Sequence, residues 1–125
     1  MAKLSSTDIY GNLKVSGTIR GDDTGWIDMT LVNSWVFYGV PWSTPQYRRI
    51  GNIVYLKGLV GGGSSTTAII TTLPAGFRPN QGSIRVVQGA LGPHRVTLSA
   101  DGTVQPSTGA SVTWVSLDDI TFMVD

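Results

Sequence analysis

The sequence contains no cysteine and no glutamate, and its one histidine is His94. Without cysteine, the protein has neither disulfides nor a thiolate zinc site, so its stability must come from burial. A hydrolytic triad needs a base, and His94 follows Gly92 and Pro93 in what the pattern indicates is an exposed turn. A turn histidine is more often a solvated side chain than a general base. These absences disfavour nucleophilic hydrolysis.

The eight acidic residues are all aspartates, and most of them stand in turn signals, where Asp bonds to nearby backbone. Glycosidase chemistry instead needs two carboxylates that face each other across a cleft. The pairs Asp22-Asp23 and Asp118-Asp119 lack the spaced ligands of a calcium loop, although the sequence leaves open whether they bind a cation. We therefore expect no enzymatic activity, no cofactor and no metal site.

Charge is also scarce, at 14% of the residues with a net charge of +1, against a usual charged share of roughly 25%. Binding to nucleic acid requires a basic stripe, and none is present. No apolar run approaches the roughly 20 residues that span a bilayer, and residues 1–5 are too polar for a secretory signal. We expect a protein made in a cytoplasm that binds neither nucleic acid nor membrane.

What the sequence has in abundance is typical of β-structure: Val, Ile, Thr and aromatic residues, punctuated by 16 glycines and six prolines. Two hairpins are predicted, at Gly51-Asn52 and at Asp101-Gly102. A third pair of strands is predicted over residues 111–117 and 120–124, with its turn at Asp118-Asp119. Because no segment shows sustained helical periodicity, the sequence predicts an all-β domain with almost no helix.

The segment 53–60 is apolar on both of its faces. In a lone sandwich the outer face of a strand is polar. A second apolar face therefore predicts that another layer or another subunit covers it, and oligomerisation is the simpler of the two in a chain of this length. We expect the following residues 61–65, Gly-Gly-Gly-Ser-Ser, to form a flexible connector.

An aromatic loop supplies the main indication of binding. Trp42 lies between Pro41 and Pro45, where an exposed ring could stack on the apolar face of a sugar. Tyr38, Tyr47 and the Arg48-Arg49 pair flank this loop, and arginine can bind phosphate in bidentate fashion. The alternative is that these aromatic residues belong to the core or to an interface, as most aromatic side chains do.

Three segments in this order, residues 35–39, 46–58 and 72–79, together with the hairpin at Asp101-Gly102 and the strand 114–118, resemble the C-terminal head domain of bacteriophage tail-fibre or receptor-binding proteins. The sequence most resembles such proteins from phages that infect Gram-positive bacteria, and the resemblance covers roughly residues 26–125. Residues 13–19 resemble the short repeats that build phage fibre shafts.

This resemblance implies an antiparallel, jelly-roll-like β-sandwich that forms a homotrimer. Residues 1–25 would be a shaft-like segment and linker, and residues 26–125 the head. The protein would be part of the virion tail, joined to other tail proteins through its N-terminus, and would recognise a bacterial surface saccharide for host attachment. We expect the receptor site in loops 39–46, 88–95 and 105–111. The candidate ligand-binding residues are Tyr38, Trp42, Tyr47, Arg48, His94 and Arg95.

Two other functions remain compatible with the sequence. One is a purely structural virion component, such as a fibre tip or a decoration protein. The other is a free-standing lectin or the binding module of an enzyme. The aromatic loop around Trp42 favours binding, and the shaft-like N-terminal segment favours virion attachment over a free lectin.

Overall fold

A computed structural model describes residues 23–108 and 110–124, and these residues form eleven β-strands and no helix. The predicted all-β class is confirmed, whereas nearly all of the predicted shaft-like segment 1–25 lies outside the described residues. The strands are β1 Ile27–Asp28, β2 Val36–Phe37, β3 Gln46–Ile50, β4 Ile53–Lys57, β5 Leu59–Gly61, β6 Thr71–Thr72, β7 Ser83–Gly89, β8 Gly92–Leu98, β9 Thr103–Pro106, β10 Val115–Ser116 and β11 Ile120–Met123.

The strands form two antiparallel sheets. One has four strands in the order β1-β3-β4-β11, and the other has seven in the order β2-β5-β10-β7-β8-β9-β6. Side chains from both sheets make a single core, in which Trp35, Val60, Ile70 and Leu117 are almost fully buried. The predicted antiparallel β-sandwich is confirmed.

Both predicted hairpins are present. The Gly51-Asn52 turn joins β3 to β4 and places Ile50 opposite Ile53. The Asp101-Gly102 turn joins β8 to β9, whose ladder pairs Leu98 with Val104. Each turn contains a glycine with a positive φ, which is +60° at Gly51 and +93° at Gly102. Glycine adopts this conformation readily because it has no β-carbon.

The segment 53–60 is not one strand, because Gly58 breaks it. Gly58 has a φ of +128°, and a β-carbon built there would lie 2.3 Å from the backbone Cα of Pro45. At this bend the chain leaves the four-stranded sheet and enters the seven-stranded one. Val54, Leu56 and Val60, which share one predicted face, are all buried in the core. On the opposite face Leu59 is 8% exposed, whereas Ile53 is 37% exposed and Tyr55 is half-buried. Part of the second apolar face is therefore uncovered in a single chain, and its burial by another subunit stays a prediction.

The third predicted pair of strands is wrong, because the chain crosses between the sheets here too. The strand expected over 111–117 shortens to β10, and β10 and β11 belong to different sheets. The Asp118-Asp119 turn is thus a crossing between sheets, in which Asp119 has a φ of +67°. Asp tolerates this left-handed conformation better than most residues do.

Two segments expected to be irregular are ordered by packing. Residues 88–95, expected as a loop, belong mainly to the β7–β8 hairpin, where Gly89 pairs with Gly92. The glycine-rich connector begins inside β5, and Gly63 packs so closely on the Trp35 indole that a β-carbon would lie 2.2 Å from the ring. Contacts with distant side chains, which local sequence does not reveal, fix both segments.

Candidate ligand-binding groove

A groove of about 360 Å³ lies on the face of the seven-stranded sheet that points away from the core. This face is identified by Gln88, which is exposed and alternates along β7 with the buried residues Val87 and Gly89. We call this cavity the aromatic groove. Its lining comprises Tyr38, Trp42, Leu59, Gln88, Trp114, Ser116 and Asp118.

Neighbouring strands form the floor of the aromatic groove. Leu59 of β5 pairs with Ser116 of β10, and the Leu59 side chain is only 8% exposed. The carbonyl of Leu59 accepts a 2.9 Å hydrogen bond from the backbone N–H of Tyr38, which fixes the chain after β2 at the edge of the groove. The floor is therefore apolar and is held by backbone pairing.

Aromatic side chains form the walls. Tyr38 is 46% exposed and Trp42 is 54% exposed, whereas Trp114 is half-buried. Rings this exposed leave apolar area that a partner could cover, and such burial is stabilising. The groove therefore offers apolar ring surface to a ligand.

Backbone hydrogen bonds hold the loop that carries Trp42. The Trp42 N–H donates to the Gly39 carbonyl at 3.1 Å, and the Leu59 N–H donates to the Ser43 carbonyl at 3.0 Å. Farther along the loop, the Pro45 carbonyl accepts from the Met29 N–H at 3.1 Å. Backbone hydrogen bonds to two neighbouring segments thus hold the loop that carries the Trp42 ring.

Polar groups stand between the rings. Asp118 Oδ1 accepts hydrogen bonds from the Ser43 hydroxyl at 2.6 Å and from the Gly58 N–H at 2.9 Å. The side-chain amide of Gln88 donates to the Gly89 carbonyl at 3.1 Å. A carboxylate has lone pairs for further donors, and an amide can donate and accept. Apolar walls with a few convergent polar groups are typical of small-molecule sites.

Of the candidate residues from the sequence, Tyr38 and Trp42 lie in the aromatic groove. Tyr47 does not, because its side chain is 9% exposed and belongs to the core. Its ring packs edge-on against Phe77 with a centroid distance of 4.8 Å. The alternative given above, that the aromatic residues are core residues, therefore describes Tyr47 correctly.

Arg48 lies on the four-stranded sheet and already has a partner. Its Nε and Nη2 donate to the two carboxylate oxygens of Asp23 at 2.9 and 2.7 Å. These hydrogen bonds raise the pKa of Arg48 above its ordinary value. The guanidinium carbon also lies 5.6 Å from the centroid of the Trp26 ring. Arg48 is thus separated from the aromatic groove and engaged in a bidentate pair.

His94 is not in an exposed turn. It lies in β8, is 7% exposed, and pairs with Val87 across the ladder. Its Nδ1 is 3.2 Å from the Arg95 carbonyl, while Nε2 is buried without a hydrogen-bond partner among the described residues. Strand alternation turns Arg95 to the exposed face. The turn consists of Ala90 and Leu91, so that Gly92, Pro93 and His94, which were expected in an exposed turn, belong to β8.

Sequence reasoning did not single out Leu59, Gln88, Trp114, Ser116 or Asp118 as site residues, although Gln88 begins the predicted loop 88–95. Trp114 was visible as an aromatic residue within a predicted strand. Nothing local placed these residues near Trp42, because the crossings at Gly58 and at Asp118-Asp119 bring them together. None of the described residues of the loop 105–111 lines the groove.

A second cavity, of about 560 Å³, lies on the four-stranded sheet beside Trp26, and Asp118 borders both cavities. The Lys57 ammonium stands 4.7 Å from the centroid of the Trp26 ring. Among residues 23–108 and 110–124, no three His or Asp side chains form a group that could hold a metal ion. The same residues contain no helix long and apolar enough to cross a membrane.

The sequence matches no protein-family model and no curated protein. Among solved structures, the chain is similar to the receptor binding protein (gp15) of Listeria phage PSA, with a TM-score of 0.68 and 21% sequence identity. The chain has the fold of a phage receptor-binding protein. The similarity covers 80% of this chain and 64% of the phage protein, so the chain spans less than two thirds of that protein's length. The resemblance inferred from the sequence is confirmed at the level of the fold.

Proposed function

We propose that the chain is the head of a phage receptor-binding protein, which attaches the virion to a saccharide on the bacterial surface through the aromatic groove. The observation that carries this proposal is the pair of exposed rings, Tyr38 and Trp42, which border one groove with Trp114 and Asp118. The fold shared with the Listeria phage protein supports the attachment role.

The chemistry of the groove suits a sugar better than a wholly apolar ligand. The C–H face of a pyranose would lie against the Trp42 ring and exclude water from both surfaces. Hydroxyl groups at the ring edge would donate to Asp118 or exchange hydrogen bonds with the Gln88 amide. The floor at Leu59 would contact the remaining apolar face. Binding of this kind requires no catalytic group, and the saccharide would leave unchanged.

The proposal includes a homotrimer that is joined to other tail proteins through its N-terminus. Support comes from the outer face of β7, where Ile84 is 60% exposed and Val86 is 73% exposed. Adjacent β-branched side chains on one face would be covered by a second copy of the chain, which stabilises an assembly. Light scattering on a size-exclusion column measures the mass directly. Three times the chain mass supports this part of the proposal, and a stable monomer contradicts it.

Glycan arrays and binding to a panel of Gram-positive cells test the saccharide role. W42A is expected to weaken saccharide binding by at least about tenfold, since a central aromatic contact commonly carries much of the affinity. W26A is the matched control, because Trp26 is 40% exposed but lies on the other sheet. Equal binding by wild type and W42A would contradict the assignment of the groove. Mass spectrometry of the released glycan checks that it is not cleaved.

The alternatives give different results in the same assays. A structural virion component would form the oligomer but bind no saccharide, in the wild type or in either variant. A free-standing lectin-like module would bind saccharide as a monomer. Mass and binding, measured together, therefore separate the three functions.

A further inference from the structure

A third cavity, a cleft of about 750 Å³, opens between the start of β7 and the edge strand β11. We call it the Arg85 cleft. Its walls include apolar side chains, Ile53, Phe122 and Met123, and its polar lining includes Ser83 and Arg85. It shares no residue with the aromatic groove. Any ligand of the Arg85 cleft is therefore bound independently of the proposed saccharide site.

The side chain of Arg85 has no hydrogen bond and no ion pair among the residues that the structure describes, although Arg85 is half-buried. Arg48, Arg49 and Arg78 are engaged, whereas the exposed side chain of Arg95 has no hydrogen bond to a described residue. Arg49 donates from Nε and Nη1 to the carbonyls of Gly51 and Gly76, both at 2.7 Å, and Arg78 Nε donates to the Leu73 carbonyl at 2.8 Å. The Arg85 guanidinium therefore stands in the cleft without a counter-charge among the described residues.

A second unsatisfied group lies beside it. The Ser83 hydroxyl oxygen is buried and has no hydrogen-bond partner in the described part of the chain. Ser83 and Arg85 are two residues apart on β7, so they share the face of the strand that carries Val87. Buried polar groups in folded proteins are nearly always paired. Two unpaired donors on one face indicate a missing acceptor.

The charges around the cleft favour an anion. No aspartate of the described residues lines it, whereas Asp118 borders both other cavities. Charge-assisted hydrogen bonds from a guanidinium to an anion are stronger than those to a neutral acceptor. We propose that the Arg85 cleft binds an anionic group, a carboxylate or a phosphate. Arg85 binds it in bidentate fashion, the Ser83 hydroxyl donates to it, and the apolar walls cover the adjoining part of the ligand.

Nuclear magnetic resonance of the intact protein tests the proposal, with inorganic phosphate, glucuronate and neutral glucose as probes. The Arg85 Nε–Hε resonance is expected to shift and saturate with phosphate or glucuronate, and not with glucose. Comparison of the two anions identifies which of them the cleft prefers. R85Q is expected to weaken binding by at least about tenfold, and S83A by less, because Arg85 would supply a full charge and two hydrogen bonds and Ser83 only one hydrogen bond.

R95Q is the matched control, since Arg95 is exposed on the other face of the same sheet. If R85Q and R95Q weakened anion binding equally, the proposal would be overturned, because the effect would then come only from the general surface charge. A shift that does not saturate would overturn it too. If R85Q changes the molar mass in solution, the missing acceptor belongs to another copy of the chain and the cleft is not a ligand site. W42A should leave anion binding unchanged, whatever it does to saccharide binding.

Discussion

The carboxylate of Asp118 accepts a 2.6 Å hydrogen bond from the hydroxyl of Ser43, which is 75 positions away in the sequence. The same oxygen accepts from the Gly58 N–H. Because Ser43 adjoins Trp42, this carboxylate connects the aromatic loop to both points at which the chain crosses between the sheets. Asp118 therefore positions the wall of the aromatic groove as well as lining it.

We predict that D118A weakens saccharide binding and destabilises the fold. It removes the acceptor of two hydrogen bonds, each of which contributes about 1 kcal/mol. S43A removes one donor and should have about half the effect on the free energy of unfolding. Chemical denaturation and glycan titration measure the two effects. D119N is the control, because Asn tolerates the left-handed backbone of Asp119. If D119N lowers the affinity as much as D118A does, Asp118 has no positioning role.

Gly58 should tolerate no side chain. G58A would place a β-carbon 2.3 Å from the Pro45 Cα at a φ of +128°, so the backbone must move at the bend between the sheets. We expect a loss of about 3 kcal/mol or more in the free energy of unfolding. G51A is the matched control: Gly51 has a φ of +60° with nothing near its β-carbon position, so only the left-handed conformation costs energy there, about 1–2 kcal/mol. Equal losses in urea denaturation would show that the contact with Pro45 is unimportant.

These two sites also show which features could be predicted from the sequence. The turns at Gly51-Asn52 and Asp101-Gly102 are local, because two adjacent residues determine the backbone that each turn needs. The bend at Gly58 depends on the approach of Pro45, which no local pattern reveals. Trp42 could be predicted as a binding residue because prolines hold it in a loop. Its partners across the groove could not be predicted, because they come together only after the chain has crossed between the sheets twice.

Residues Tyr47 and Arg48 illustrate the same limit on a smaller scale. They are adjacent in β3, so their side chains point to opposite faces, one into the core and one toward Asp23. We predict that R48A leaves saccharide binding at the aromatic groove unchanged. It should slightly lower the melting temperature in low salt, and added salt should reduce the difference, because a solvent-accessible ion pair is screened. A loss of glycan affinity in R48A would place the ligand on the four-stranded sheet instead.

The hydrogen bonds of Asp101 make the stability of the folded protein depend on pH in the acid range. The backbone N–H and the hydroxyl of Thr103 donate to Asp101 Oδ1 at 3.1 and 2.9 Å. These bonds, the backbone one first, lower the pKa of Asp101 below its ordinary value of 3.8. The stabilisation they provide is therefore fully present above the pKa of the unfolded chain. It is lost as the pH falls through the lower pKa of the folded state.

Asn at this position keeps the acceptor oxygen and the turn preference but does not titrate. We predict that the melting temperature of D101N falls less than that of the wild type between about pH 5 and pH 2, with the two curves parallel above that range. T103V removes the hydroxyl donor and keeps the backbone donor, so its acid dependence should lie between those of wild type and D101N. Calorimetry across this pH range measures all three. Parallel curves throughout would mean that Asp101 has the same pKa in the folded and unfolded states, because only a difference between those two values makes stability depend on its protonation.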